Sequence, residues 1–403
     1  MPKIENIIII NDFDYVQGGA SKVAIDTANL LSDKYNVYYF SGVTKKNNYD
    51  LSKNVRKICT NQGECLKDKN RLRGIVNGIY NFKARNELKK ILSTLDKNET
   101  IIHVHGWTKC LSSSIFDISW KMGFNVILTM HDYFTACPNG GYFNYKCNEI
   151  CHLKPLSWDC IKCNCDSRNY IFKIYRVIRQ FVQNHVVKLN KKLTDVISIS
   201  DFSEKILKRT LNSNTKIHKL YNPIDFNNKI INKNFKENDY YLNVSRISKE
   251  KDVETFCQAI TIANKRGIVV GDGEEKANLE ENYPNIEFVG WKNSTEVKYY
   301  MERARYLVFT SKLYEVSPLT TMEALMMKLP CIVWSGCAAK DQIDPGQNGF
   351  VYDDINSLVD VIKNKEIETF KFHYKNNYII DLIEIYSKVR GEKDEKNCIY
   401  SKK

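Results

Sequence analysis

The segment YEVSPLTTMEAL, residues 314 to 325, places two glutamates around a predicted helix start. Ser317 is a favoured N-cap residue, and Pro318 suits the first helical position, where its missing N–H costs nothing. The apolar spacing predicts a helix over residues 319 to 328, which the following proline ends. The start of this helix is a site for an anion, because free amides and the positive end of the helix dipole coincide there.

Three backbone amides and two carboxylates belong to this predicted site. The amides are those of Leu319, Thr320 and Thr321. Glu323 lies farther into the helix, and its side chain leans back toward the anion. It can accept hydrogen bonds from hydroxyls on the molecule that carries the anion, and Glu315 is expected to line the same opening. The alternative is that one glutamate favours the helix dipole and the other is simply solvated.

Two cations and a pair of glycines follow other predicted strands. Arg246 and Lys251 come after the strand predicted at 241–244, where two cations suit a diphosphate. Gly18 and Gly19 separate the first strand from its helix, and their missing side chains let a ligand approach the backbone. Taken singly, the two cations could equally be ordinary surface charges, and the two glycines could equally form an ordinary tight turn.

Alternating strands and helices in both halves of the chain position these groups. The predicted strands are 7–10, 37–40, 101–104, 126–130 and 196–200 in the first half, and 241–244, 268–270, 286–289, 306–309 and 331–334 in the second. This order predicts an α/β fold with two Rossmann-like, doubly wound parallel sheets. Ligands bind beyond the carboxyl ends of such strands, so two facing sheets would bring the candidate residues to one cleft.

The length of 403 residues suits two domains of about 150–200 residues each. We predict a first domain over residues 1–222, with a cysteine-rich insert at about 137–165, and a second over residues 223–370. The segment YNPID, residues 221 to 225, is the predicted hinge. Residues 371–403 are expected to supply a C-terminal helix that packs back on the first domain.

The net charge of +13 and the pI near 9.0 imply an anionic partner, either a phosphorylated substrate, a lipid surface or nucleic acid. No RNA-binding motif or zinc-finger pattern accompanies the charge, so nucleic acid is not expected. No apolar run approaches the roughly 20 residues that span a bilayer. No secretory signal is recognisable either, so we expect a cytoplasmic protein.

The charge is concentrated between residues 168 and 192, where acidic residues are absent. The cations are Arg168, Lys173, Arg176, Arg179, Lys188, Lys191 and Lys192. Apolar residues recur among them at helical spacing, which predicts a basic amphipathic helix. We expect it to bury its apolar face in its own domain or to lie at the inner face of an anionic membrane; the two are compatible, because long basic side chains can reach a membrane from the far face.

Eight motifs in order resemble glycosyltransferase family 4, of the GT-B fold. They are GGAS, TMHDYF, LYNPID, VSRISKEKD, VVGDGEE, FVGW, YEVSPLTTMEAL and NGFVYDD. The resemblance extends over most of the chain, and the two spaced glutamates with the Arg246–Lys251 pair are its most specific parts. It implies a retaining transferase that takes a sugar from a nucleotide-diphosphate donor.

The resemblance also implies roles for individual residues. Arg246 and Lys251 would hold the diphosphate, Glu323 the ribose hydroxyls and Glu315 the donor sugar. His131 matches a histidine that the family places beside the transferred sugar, and Gly18 and Gly19 match a glycine loop near the donor phosphate. Two other histidines, His103 and His105, are expected to be structural.

Chemistry without a catalytic metal fits these residues, because cations and helix amides can stabilise the departing diphosphate. The resemblance implies attack on the face that the diphosphate leaves, with a phosphate oxygen taking the proton of the acceptor. Two residues depart from the family. Asp252 replaces a usual glycine and adds a carboxylate near the diphosphate, and Ser21 stands where an acidic residue is common.

Six cysteines crowd into residues 137 to 165. In a cytoplasmic protein such a cluster favours a metal over disulfides. Some members of the family carry a cysteine-bearing insert whose spacing resembles Cys137, Cys147, Cys160 and Cys163, which are the expected ligands of a structural zinc. Reduced thiols and an iron–sulfur cluster are the alternatives.

The sequence therefore predicts a transferase of cell-surface polysaccharide synthesis, such as that of capsule or lipopolysaccharide. Its expected partners are a nucleotide-sugar donor, a glycan or lipid-linked acceptor, and a peripheral contact with the membrane. One alternative is a non-catalytic basic module that binds an anionic polymer or membrane. Another is an epimerase or phosphorylase of the same fold, for which we identify neither the acid–base residues nor the cofactor lysine.

Overall fold

Two parallel β-sheets organise the chain in a computed structural model that describes residues 3–45, 50–223, 234–374 and 377–391. The strands of the first sheet are β1 (Asn6–Phe13), β2 (Asn36–Val43), β3 (Arg56–Cys59), β4 (Thr100–Val104), β5 (Asn125–Thr129), β8 (Asp195–Ser198) and β9 (Lys216–Lys219). Their order in space is β3-β2-β1-β4-β5-β8-β9. A small antiparallel hairpin, β6 (Phe143–Asn144) and β7 (Glu149–Ile150), lies within the cysteine-rich insert.

Helices connect these strands on both faces of the sheet. They are α1 (Gly19–Leu31), α2 (Arg71–Ile79), α3 (Phe82–Leu92), α4 (Ser114–Lys121), α5 (Trp158–Lys162), α6 (Tyr170–Phe181), α7 (Leu189–Lys192) and α8 (Asp201–Leu207). Every residue of β1 is buried, including the run of four isoleucines from Ile7 to Ile10. A strand buried on both faces is typical of a parallel sheet covered by helices.

The second sheet is smaller and also parallel. Its strands are β10 (Tyr240–Val244), β11 (Arg266–Val270), β12 (Ile286–Phe288), β13 (Ala304–Phe309), β14 (Cys331–Trp334) and β15 (Gly349–Tyr352), in the spatial order β12-β11-β10-β13-β14-β15. Its helices are α9 (Val253–Ala263), α10 (Lys276–Asn282), α11 (Ser294–Arg303), α12 (Leu319–Met326) and α13 (Ile355–Asn364). Tyr241 and Leu242 belong to apolar clusters on opposite faces. The predicted α/β class with two doubly wound parallel sheets is confirmed.

The last described helix, α14 (Tyr378–Arg390), packs against the first sheet although it follows the second along the chain. Leu382 and Tyr386 are fully buried in the apolar cluster of the first sheet. Tyr378 shares a hydrogen bond of 2.6 Å with Thr27 of α1. The hinge segment is described only as far as residue 223, and Ile224, Asp225 and residues 392–403 lie outside the described residues.

Three edge strands were absent from the prediction. The residues of β3 and β9 are exposed or half-buried, so they lack the apolar run that marks an interior strand. The third, β15, is short and begins with a glycine that packs against the backbone of Cys331. Such strands are formed by pairing with a neighbour, which a local pattern does not reveal.

The helix predicted from residue 319 begins where predicted, but its N-cap residue and its last residue differ from the prediction. Pro318 has an extended conformation, with φ −68° and ψ 124°, so it lies at the N-cap position rather than in the first turn. The helix ends at Met326 instead of residue 328, because the chain reverses through Lys328 at φ 60°. The helix nevertheless begins at Leu319, as predicted.

The basic segment from residue 168 to 192 is not one helix. A π-helical turn, Val182–Val186, follows α6, and the left-handed conformation of Lys188 separates it from α7. No helix within the described residues has the length and apolar character needed to cross a membrane.

The apolar face expected for α6 is only partly buried. Tyr175 is buried, whereas Ile171, Ile178 and Phe181 are 79%, 46% and 53% exposed, and the cations Lys173 and Arg179 are buried in their place. The expectation of packing within the domain therefore fails for Ile171, Ile178 and Phe181. The physical reason is that the buried side of α6 contacts sulfur, carboxylate and carbonyl groups, which hold cations better than apolar side chains do.

Candidate functional site

A cavity of about 360 Å³ lies between the carboxyl edges of the two sheets, and we call it the cleft cavity. Elements of both sheets line it, from the start of α1 to the start of α12. The predicted site residues that line it are Gly19, His131, Arg246, Lys251, Glu315, Leu319 and Thr320. Residues separated by as many as 301 positions therefore meet at one place, as Lys22 and Glu323 do at its rim.

Lys251 and Glu315 form an ion pair at the floor of the cleft cavity. Glu315 also accepts a hydrogen bond of 2.7 Å from the hydroxyl of Ser311. Both charged side chains are largely shielded, with exposures of 23% and 18%. Lys251 and the first residues of α12 line the same cavity, so an anion there could meet both the lysine charge and the helix amides.

Arg246 also lines the cleft cavity. Its guanidinium pairs with the buried carboxylate of Glu250 and donates a hydrogen bond of 3.3 Å to Ser248. The side chain is 61% exposed, so the remaining donors of its fork are accessible to a ligand.

The start of α12 presents amides to the same cavity. Leu319 and Thr320 line it, whereas the side chain of Thr321 is fully buried and its hydroxyl donates to the carbonyl of Pro318 at 3.1 Å. Pro318 has no side chain able to cap these amides, so the first turn keeps unsatisfied donors for a ligand.

Glu323 is paired with Lys22 of α1 at 2.6 Å, an interaction that joins the two sheets across the rim of the cleft. Each side chain is 33% exposed, and an ion pair of that kind contributes only about 0.2–1 kcal/mol. Ribose hydroxyls could therefore replace it at small cost. Lys22 was not among the predicted residues. Its position one helical turn after Gly19 is the signal that could have identified it.

Gly18 differs from the expectation that its amide is open to a ligand. The hydroxyl of Ser21 accepts hydrogen bonds from the amides of Gln17 and Gly18 at 2.7 and 3.0 Å. Ser21 thus occupies two backbone donors of the glycine loop. Gly19 lies closer to the second sheet, since a side chain there would be 3.4 Å from Leu319.

Replacing Gly18 by valine tests whether a ligand passes close to the glycine loop. Gly18 has φ 172°, which any residue can adopt, and an added Cβ would meet no atom within 4 Å. We therefore expect a change in stability within about 0.5 kcal/mol. If the donor phosphate passes here, the added side chain should weaken nucleoside-diphosphate binding by about 1–3 kcal/mol through steric conflict. Calorimetric titration measures this.

The neighbouring variant Gln17→Val is the control for Gly18→Val, because it places a valine one residue farther from Gly19, which lines the cavity. Equal affinity of the Gly18→Val protein and this control would show that the donor lies elsewhere.

His131 belongs to a stack of three imidazoles behind the cavity. Its Nε2 atom lies 2.9 Å from Nδ1 of His105, and the ring of His105 lies 4.2 Å from that of His103. Burial lowers the pKa of His131 to about 3 and that of His103 to about 3, and it lowers the pKa of His105 well below the ordinary value. The three rings are therefore neutral at physiological pH, which suits His131 for a neutral hydrogen bond to a sugar.

The stack is supported from the C-terminal helix. Nδ1 of His103 lies 2.7 Å from the hydroxyl of Tyr386, and Nε2 lies 2.7 Å from that of Thr129. Tyr386 is separated from His103 by 283 residues, and no local signal marked it as part of the site. Side-chain contacts from Tyr386 through His103 and His105 to His131 therefore connect α14 to the cavity.

Protonation of His131 should make the folded protein less stable at low pH. Its pKa is about 3 in the folded protein and 6.5 ordinarily, so its contribution is present above pH 6.5 and is lost as the pH falls toward 3. We expect the Tm to fall less between about pH 7.5 and 5 in His131→Gln than in the wild type. Differential scanning calorimetry measures this difference.

Asp132 acts in the opposite direction, because burial raises its pKa to about 6 and its protonation favours the folded state. It is present in both proteins, so its effect cancels when the two pH dependences are subtracted. Parallel curves for the wild type and His131→Gln would contradict a buried neutral His131.

The backbone conformation of Asp252 explains why glycine suits this position in the resembling family. Its φ is 50°, in the left-handed region, which aspartate tolerates better than most residues do. Its carboxylate accepts a hydrogen bond of 2.6 Å from Thr255 and pairs with Lys312 at 3.1 Å. It does not line the cleft cavity, so the carboxylate expected near the diphosphate is directed elsewhere.

The cysteine-rich insert packs around a buried lysine of α6, and its thiols do not converge on a metal site. Lys173 Nζ lies 3.2 Å from the sulfur of Cys165 and 3.5 Å from that of Cys160. Cys147 is exposed, and among the described residues no three cysteine, histidine or acidic side chains are arranged to hold a metal. The arrangement does not fit the closed site expected from Cys137, Cys147, Cys160 and Cys163.

The zinc site stays a prediction that elemental analysis can test. A native preparation with about one equivalent of zinc would require the insert to rearrange around the metal. A preparation without metal would leave the cysteines as reduced thiols that pack around Lys173.

Residues 225–365 match the family described as Glycosyl transferases group 1. Within the described residues, the match includes the second sheet and the site residues Arg246, Lys251, Glu315 and Glu323. A comparison with curated protein sequences gives no match. The chain thus contains a glycosyltransferase group 1 domain.

Solved structures show the same fold. HepE of Anabaena, solved in complex with UDP-glucose, is 14% identical, with 96% of this chain and 99% of that chain covered at a TM-score of 0.57. The lipopolysaccharide outer core galactosyltransferase WaaB is 17% identical, with coverages of 99% and 100% and a TM-score of 0.55. Sucrose-phosphate synthase of Thermosynechococcus elongatus is 14% identical, with coverages of 96% and 94% and a TM-score of 0.59. The chain has the GT-B fold, as predicted.

Proposed function

We propose that the protein is a retaining glycosyltransferase of family 4 that moves a sugar from a nucleotide-diphosphate donor to a glycan or a lipid-linked saccharide in cell-surface polysaccharide synthesis. The observation that carries the proposal is the cleft cavity. There, two cations, the amides of a helix start and a carboxylate converge within a domain that matches glycosyltransferases. HepE, which shares the fold, was solved with UDP and with UDP-glucose, which supports a nucleotide-sugar donor.

The donor diphosphate would lie between Arg246, Lys251 and the first amides of α12. Negative charge grows on this group as the sugar leaves, and fixed cations and dipoles stabilise it without reorganising. These groups supply the required positive charge themselves, so we expect transfer to proceed without a catalytic metal. Glu323 would exchange its partner Lys22 for the ribose hydroxyls.

The transferred sugar would lie between Glu315 and His131, which line the same cavity. Glu315 keeps Lys251 in place and offers a second carboxylate oxygen to the sugar. His131 is neutral, so it would orient a sugar hydroxyl by a hydrogen bond without competing for a proton. Attack from the face that the diphosphate leaves would then retain the anomeric configuration.

A peripheral contact with the inner face of a membrane is part of the proposal. The apolar residues Ile171, Ile178 and Phe181 of α6 are exposed in a strongly basic region of the chain. Exposed apolar side chains on one side of a helix suit insertion into a lipid surface. Such a location would bring the cleft close to a lipid-linked acceptor.

A non-catalytic module that binds anionic polymers is the alternative, and the net charge of +13 favours it. The two proposals differ in their ligands. A melting-temperature screen against nucleoside diphosphates and nucleotide-sugars, beginning with UDP, should show stabilisation by a true donor in proportion to its occupancy. Stabilisation by polyanions alone, with none by any nucleotide, would support the binding module instead.

A further inference from the structure

A second and larger cavity, of about 720 Å³, adjoins the cleft cavity, and Arg246 lines both. We call it the basic cavity. Eight of its lining residues are basic, namely Lys67, Lys109, Lys146, Arg168, Arg176, Arg179, Arg246 and Lys249. Three are acidic, namely Glu64, Glu250 and Glu274.

The acidic residues do not neutralise this cavity. Glu64 pairs with Lys67 and Glu250 with Arg246, and Asp166 outside the lining pairs with Arg176 at 2.5 Å. The other cations have no carboxylate within ion-pair distance among the described residues. They are Lys109, Lys146, Arg168, Arg179 and Lys249. All of them except Arg179 are exposed to solvent, and positive charge concentrated in this way attracts an anion.

Arg179 is the most informative of these cations, because its side chain is only 7% exposed. Its guanidinium donates to the carbonyl of Pro138 at 2.9 Å and to that of Thr108 at 3.5 Å, and it stacks on the ring of Phe134 at 4.7 Å. These contacts fix its orientation. Among the described residues no carboxylate lies within ion-pair distance of it, although Asp132 and Asp12 are near enough to interact with it electrostatically. A buried and oriented arginine of this kind is a preorganised donor for a phosphate.

The orientation of α6 explains how the cations reach this cavity. Arg176 and Arg179 lie on its inner side with Arg168 just before its start, while Ile171, Ile178 and Phe181 face outward. Lys109 follows β4, and Lys249 follows β10, so both lie at carboxyl edges of the sheets. The basic cavity is thus built from both sheets, and it opens beside the sugar-transfer site.

We propose that the basic cavity binds the acceptor through a phosphate or diphosphate group. This inference rests on the proposed glycosyl transfer and adds the chemical class of the acceptor. Arg246 lies at the junction, so the acceptor phosphate and the donor diphosphate would be held on either side of one guanidinium. The volume of about 720 Å³ is large enough for a phosphate together with an attached saccharide.

Such a phosphate has two sources, a soluble sugar phosphate and a lipid-linked diphosphate saccharide. Both present the same group to the cavity. The exposed apolar residues of α6 make the lipid-linked source accessible, since one side of this helix lines the cavity and the other faces outward. Glucose 1-phosphate serves as the soluble probe, and phosphatidylcholine vesicles that contain farnesyl diphosphate serve as the lipid probe.

Titration of the full chain, with UDP saturating the cleft cavity, tests the proposal by calorimetry. We expect glucose 1-phosphate to bind, and methyl glucoside, which has no phosphate, not to bind. The double variant Lys109→Gln/Arg168→Gln removes two exposed cations, so the fold should persist. It should weaken glucose 1-phosphate binding by about tenfold or more and leave UDP affinity unchanged.

The double variant Lys89→Gln/Lys90→Gln on α3 removes the same charge away from both cavities and should bind as the wild type does. Sedimentation with the two kinds of vesicle, with and without farnesyl diphosphate, identifies the lipid-linked source. The inference is overturned if UDP binds but neither phosphate probe does, or if Lys109→Gln/Arg168→Gln binds them as tightly as the control. If no nucleotide binds at all, the proposed function fails and this inference falls with it.

Discussion

Replacing Lys251 by glutamine is expected to lower kcat/KM for the nucleotide-sugar by about 10²–10³, the usual effect of removing one preorganised charge donor. Lys251 is oriented by Glu315 in the cleft cavity, where it would meet the diphosphate as its charge grows. The interaction strengthens in the transition state, so kcat should fall more than donor affinity does. Steady-state kinetics with donor and acceptor varied separately measure both quantities.

Lys312→Gln is the matched control for this substitution. Lys312 lies close along the second sheet and pairs with Asp252, but it does not line the cleft cavity. Its replacement should leave kcat/KM nearly unchanged. Equal losses in the two variants would mean that general positive charge, rather than a fixed contact of Lys251, assists the reaction.

Replacing Glu323 by glutamine is expected to weaken donor binding by about 1.5–3 kcal/mol, the value of hydrogen bonds to a charged group. The binding of ribonucleoside diphosphates should therefore weaken by roughly tenfold to 150-fold. A 2′,3′-dideoxy nucleotide lacks the hydroxyls in question and should bind the wild type and the variant equally. Calorimetry with both nucleotides measures the difference that is due to the ribose.

The same variant also breaks the ion pair with Lys22, and two controls separate the effects. Lys22→Gln removes that pair while leaving the carboxylate, so it should not weaken donor binding. Glu281→Gln changes an exposed glutamate far along the chain and should have no effect. Unchanged nucleotide binding by Glu323→Gln would favour a binding module without a ribose contact.

The sequence determined the parts of this protein that depend on neighbouring residues. The isoleucine run of β1, the alternation of strands and helices from β10 to β14, and the start of α12 at Leu319 are all readable locally. Parallel sheets bind ligands beyond the carboxyl ends of their strands, so the positions of Arg246, Lys251 and Glu315 at one cavity could also be predicted. Exposed edge strands such as β3 and β9 could not be predicted, because they form by pairing with a neighbouring strand and have no apolar pattern of their own.

The tertiary structure decided which partners these elements meet. Periodicity shows that α6 has two unlike sides, but only its neighbours decide that Arg179 is buried and Ile171 is exposed. The contacts of Lys22 with Glu323 and of His103 with Tyr386 join residues 301 and 283 positions apart. Contacts over such separations are set by how the sheets and α14 pack together, and no local pattern encodes them.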